Sequence, residues 1–125
     1  MLFRSFKAAI EILSKPERLD VPLTENAFGW GSLFVAQGQA FLAAGDLANA
    51  RARGKRALAL AEERGEPPRR AYALKLLGDT SSEEGGISEA RSYLERAHEL
   101  ATKCGMRPLM DQCDAALRSI ARPAV

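Results

Sequence analysis

The sequence predicts an all-α chain of about six antiparallel helices, and three observations carry that expectation. Ala and Leu supply most of an apolar fraction of 46% while aromatic residues make up only 6%, a mixture that favours helix over strand. The chain repeats itself at a spacing of forty residues. Glycine and proline recur at matched points of that repeat, where helices stop and start. At 125 residues the chain is one domain, long enough to bury a sizeable core.

The repeat is read by sliding the sequence along itself. Gly38 meets Gly78, Gly45 meets Gly85, and the run Ala50-Arg51 meets Ala90-Arg91. The register then holds through Arg56 and Arg96, Ala57 and Ala97, Leu60 and Leu100, Ala61 and Ala101, Gly65 and Gly105, and Pro68 and Pro108, with no gap. A fixed period of roughly 20 to 50 residues marks stacked supersecondary units.

Taken in order, the first element is an amphipathic helix carrying Leu2, Phe3, Phe6, Ala9, Ile10 and Leu13, which reads as the second helix of an earlier unit. "SKPERLDVPLTEN" follows as a loop, with Thr24 or Asn26 available as a cap. A helix over 27–44 comes next. Gly45 then lets the chain reverse, and Leu47 leads a stripe of Ala50, Gly54, Ala57, Leu58 and Ala61 into the core. Gly65 stops that helix as a left-handed cap, and Pro68 opens the next, over 69–84.

Gly85-Gly86 reverses the chain again, and Ile87 leads Ala90, Leu94, Ala97 and Ala101 into the same core until Gly105. From Pro108 a last helix places Leu109, Cys113, Ala116, Leu117 and Ile120 on one face, and the sequence reaches Val125 before any second helix. Gly38 and Gly78 fall mid-helix, where Gly costs about 1 kcal/mol relative to Ala, so another helix should approach closely there. The division is therefore 1–26 as helix and loop, 27–67 and 68–107 as repeats, and 108–125 as a partial third repeat.

Charge narrows the function classes. Eighteen basic and sixteen acidic residues leave a net charge of +2, too weak to make nucleic acid an expected partner. Neither a secretory leader nor a membrane span is legible, so a cytoplasmic location is expected. Cys104 and Cys113 lie nine apart, without metal-ligand or redox spacing, and read as structural thiols. His98 is the only histidine and, beside the buried stripe, reads as boundary packing. The cations of "RARGKR", Arg51 to Arg56, scatter around their helix and read as a solvated face. Glu62-Glu63 and Glu83-Glu84 are adjacent pairs that face different ways, so no paired-carboxylate site forms. No cofactor, metal or catalytic set is expected, and the chain is read as a non-enzyme.

The glycine and alanine frame resembles that of tetratricopeptide repeats. Counting from Ala71, the family's large apolar positions fall on Leu74 and Leu77, its small and turn glycines on Gly78 and Gly85, and its second-helix positions on Ala90, Leu94 and Ala97. Counting from Gly31, they fall on Phe34, Gln37, Gly38, Phe41, Gly45, Ala50, Gly54 and Ala57. Gln37 and Gly54 replace large apolar residues, and Ser81 replaces an aromatic one. Long repeats of this kind, and "ERAHELATKCGMRPLMDQC" in particular, resemble the C-terminal repeats of bacterial ATPase-linked class III adenylate cyclases and LuxR-type activators. The cyclase, P-loop and DNA-binding motifs of those proteins have no counterpart in this sequence.

The resemblance implies a right-handed superhelix and a protein-interaction or scaffolding role, binding a protein segment or a second copy of the chain as a homodimer. The alternative it carries is a regulatory subunit or fragment of a signalling ATPase, cyclase or transcription regulator. The family's concave groove would be lined by Ser32, Val35, Gln39 and Leu42, then Tyr72, Lys75, Asp79 and Ser82, then Gln112, Ala115 and Ser119. A basic clamp on a partner's terminal carboxylate is not expected, because Val35, Gln112 and Ala116 stand where cations would be needed. A self-association surface is expected on the last helix at Met110, Cys113, Leu117 and Ile120, which have no second helix to cover them.

Overall fold

The structure, a computed structural model, describes the backbone of residues 27–121 and the side chains of residues 33–121. The expected helix at 2–13 and the loop after it lie outside the described residues, as does the side chain of Ser32. Five helices follow one another: α1 (Ala27–Ala43), α2 (Leu47–Arg64), α3 (Pro67–Glu83), α4 (Ile87–Lys103) and α5 (Arg107–Ala121). Each packs on the next, and the odd-numbered helices also touch in series, α1 on α3 and α3 on α5. That order is a tetratricopeptide-like helical solenoid, the all-α class that composition and period predict.

One device makes every described connection. At the end of α2, Gly65 adopts φ +62°, its N–H donates to the Glu62 carbonyl, and the Glu66 N–H donates to Ala61. These two bonds form a Schellman closure, which needs a left-handed residue and so favours glycine. Gly45, Gly85 and Gly105 repeat it with the same bond pattern. The turns inside a helix pair and between pairs are therefore alike. Asp46 accepts from the Asn49 N–H at 3.2 Å and caps α2. The third helix begins at Pro67 rather than at position 69, since proline in the first turn gives up only an N–H that has no intrahelical partner.

Packing pairs small residues on one helix with large ones on the next, Gly54 of α2 with Leu77 of α3 and Gly78 of α3 with Leu94 of α4. Ala71, Leu74, Ala97, Ala101, Leu109 and Cys113 form one buried cluster, and Phe34, Ala57 and Ala73 form another. The expected close approach at the mid-helix glycines is present. A Cβ on Gly38 would run into Leu76 Cδ2 and stand 3.4 Å from the Ala50 carbonyl; on Gly78 it would stand 2.7 Å from Leu94 Cγ and 3.4 Å from the Ala90 carbonyl. Gly54 does not leave a hole, because Leu77 of α3 fills the space with its Cδ2 2.8 Å from where a Cβ would sit.

One expectation about the core changes, and two polar replacements in the frame prove to be buried. Ile87 is 41% exposed and does not enter the core. Ser81 is buried in the aromatic's place, and Arg51 of α2 reaches it: its Nη2 donates to Ser81 Oγ at 3.1 Å. The same guanidinium donates to Glu84, and to Glu89 Oε1 at 2.9 Å, tying α2 to both helices of the next pair. Gln37 is buried like its apolar counterpart Leu77, yet both atoms of its amide have no hydrogen-bond partner among the described residues.

Candidate functional site in a groove of the odd-numbered helices

The odd-numbered helices present one side of the solenoid. Leu42 from α1, Asp79, Ser82 and Glu83 from α3, and Ala116 and Ser119 from α5 line one groove of about 280 Å³. Sequence reasoning named Leu42, Asp79, Ser82 and Ser119 for this face, and three helices bring them together. It did not name Glu83 for the groove, although the final residue of α3 lies beside Ser82 and could have been found as the next position along that helix. Small side chains at 82, 116 and 119 leave the space open, while Leu42 supplies an apolar wall.

The remaining groove candidates divide. Lys75 and Asp79, one turn apart on α3, form an ion pair, so Lys75 neutralises Asp79 next to the groove. Gln39, Tyr72, Gln112 and Ala115 are exposed and do not line the groove. Val35 is half-buried against the cluster of Phe34, Ala57 and Ala73, which assigns it to packing as much as to a binding surface.

The last helix departs from its expectation in one residue. Cys113 is fully buried against Ala71, Leu74, Ala97 and Ala101, so it belongs to the core and not to an uncovered stripe. The reason is geometric: α5 lies on α3 and α4 together, and the edge carrying Leu109 and Cys113 is the one they cover. Burial pushes the Cys113 thiol up from its ordinary pKa. Met110, Leu117 and Ile120 remain half-buried.

His98 joins α4 to α5. Its Nε2 lies 3.1 Å from Asp114 Oδ1, and the two side chains are 32% and 48% exposed. Glu95, Glu99, Thr102, Lys103 and Leu117 surround them in a shallow depression of about 520 Å³. Among the described residues no group of His, Cys, Asp and Glu is arranged to hold a metal ion.

The basic run is not a free solvated face. Arg51 is engaged as described above, Arg56 stands 5.0 Å from the centre of the Phe34 ring, and Arg53 stands 5.9 Å from that of Phe41. Lys55 is exposed. Among the described residues no helix is long and apolar enough to cross a membrane.

The tetratricopeptide repeat family profile matches residues 31–103, more than half of the chain. No curated protein matches the chain. The profile supports the repeat reading and gives no support to the narrower resemblance to signalling cyclases and LuxR-type activators.

Proposed function

Because this chain belongs to the tetratricopeptide repeat family, whose repeats are generally protein-interaction modules, we propose that it is a non-catalytic scaffold whose concave face holds a segment of another protein. The observation that carries this reading is the groove itself, built by side chains from three successive odd-numbered helices. A segment lying across them would touch α1, α3 and α5 at once. A cytoplasmic location goes with the proposal, since both cysteines are free thiols, as a reducing compartment keeps them.

The test compares partners recovered by the native chain with those recovered by Ser119→Trp, an exposed position where a large side chain obstructs the groove without disturbing the core. Partners held by the native chain and lost by the variant support the concave face. Equal recovery by both would remove it.

A second reading, self-association, is supported by Met110, Leu117 and Ile120 of α5, which remain partly exposed. Sedimentation equilibrium of the native chain and of Ile120→Asp tests it: a dimer that the substitution dissociates supports a homodimer through α5. A monomer in both removes this reading.

A further inference from the structure

The groove on the concave face has a definite electrical character. Leu42 is the next-to-last residue of α1, Ser82 and Glu83 are the last two of α3, and Ser119 lies in the last turn of α5. Three helix C-termini therefore meet there, and each is the negative end of its macrodipole. Of the two carboxylates in the lining, one adds to this. Lys75 neutralises Asp79, but Glu83 is exposed and has no ion-pair partner among the described residues. Among the described residues no cationic side chain lines the groove.

We infer that the groove takes a lysine or arginine side chain presented by the bound protein segment; the inference rests on the concave face being the binding surface. Size and lining fit that occupant. About 280 Å³ lies just below the range of roughly 300 to 1,000 Å³ that whole small-molecule ligands occupy, and suits one long side chain. Leu42 and Ala116 offer apolar surface to a methylene stem, in the way long cationic side chains bury their stems. The charged head has Glu83 and the hydroxyls of Ser82 and Ser119 to meet in the same lining, all of which accept hydrogen bonds. An acidic side chain at the same place would face the Glu83 carboxylate and three negative helix ends.

The test begins with display of random heptapeptides against the full chain. Fluorescence anisotropy then compares selected peptides on the native chain and on Glu83→Gln, and compares each with its charge-neutral form, acetyl-lysine for lysine or citrulline for arginine. Glu83 is exposed at a helix end, so the variant keeps its fold, which far-UV circular dichroism checks. The expected result is a shared Lys or Arg in the selected peptides, with affinity falling roughly fivefold on either neutralisation, the size of one partly solvated charge pair. Charge reversal, Glu83→Lys, lowers it further.

Selected peptides that are neutral or acidic, and bind Glu83→Gln as well as the native chain, would overturn the inference while leaving the protein-interaction reading standing. A display that selects no peptide overturns both.

Discussion

His98 Nε2 stands 3.1 Å from Asp114 Oδ1 at the place where, forty residues earlier, Leu58 packs against the cluster that holds Leu74. An apolar contact between one helix pair and the next is thus replaced by a polar one where α5 meets α4. Both side chains remain one-third to one-half exposed, so the contact positions α5 more than it stabilises the fold. Asp114→Ala is expected to cost no more than about 1 kcal/mol, while raising amide hydrogen exchange in α5 above that in α3. A loss beyond about 2 kcal/mol in urea unfolding would show the pair to be worth more than its exposure allows.

Gln37 occupies the position of Leu77 and is equally buried, with neither end of its amide hydrogen-bonded among the described residues. An unmet buried amide carries its desolvation penalty without return. Gln37→Leu is therefore expected to stabilise the protein by about 1 to 3 kcal/mol, read as a higher urea midpoint with an unchanged slope. A lower midpoint would mean that the amide has a partner in the folded protein.

Leu77 and Gly54 form a knob and its hole. Gly54→Ala would gain about 1 kcal/mol of helix propensity, yet it drives a methyl into Leu77, and overpacking costs typically about 1 to 3 kcal/mol. Net destabilisation is expected, with part of it recovered in the double variant Gly54→Ala, Leu77→Val. Additive effects of the two substitutions in a double-mutant cycle would contradict a shared contact.

Arg51 ties α2 to Ser81, Glu84 and Glu89, and the hydrogen bonds it donates to the Glu84 carboxylate are the main reason its guanidinium favours the charged form. Arg51→Met is expected to cost about 1 to 2 kcal/mol. Arg51→Lys should restore little of that, because a single ammonium cannot reach three acceptors that a planar fork spans. Full rescue by lysine in thermal unfolding would show that charge alone matters.

The two thiols should separate chemically. Cys104 is exposed and should react with a thiol reagent at once, whereas Cys113 should react only as the protein opens. Because folding raises the Cys113 pKa, its contribution is fully present below the unfolded thiol pKa and is lost as pH rises through the folded one. Stability is therefore expected to decline in the alkaline range, above about pH 8.5, and Cys113→Ala should flatten that decline. An equal decline in the variant would assign it to other groups.

Much of the architecture is legible in the sequence because it is local. The left-handed turns at Gly65 and Gly105, the stripe from Ala90 to Ala101, and the mid-helix glycines each state a backbone requirement that neighbouring residues read directly. Other features are not local. Whether Gly54 leaves a void depends on Leu77, and whether "RARGKR" faces water depends on Phe34, Phe41 and the carboxylates of Glu84 and Glu89.

The sequence by itself determined that the chain is helical, that it repeats every forty residues, and where its helices turn, since propensity, period and glycine placement act within a few residues of each other. Only the tertiary structure decided that Cys113 is core, that Ile87 is surface, and that Leu42, Glu83 and Ser119 share one groove. Those facts depend on how α5 lies across α3 and α4 and on which helix ends meet. Packing between elements distant in sequence fixes both, and no periodicity within a single helix encodes it.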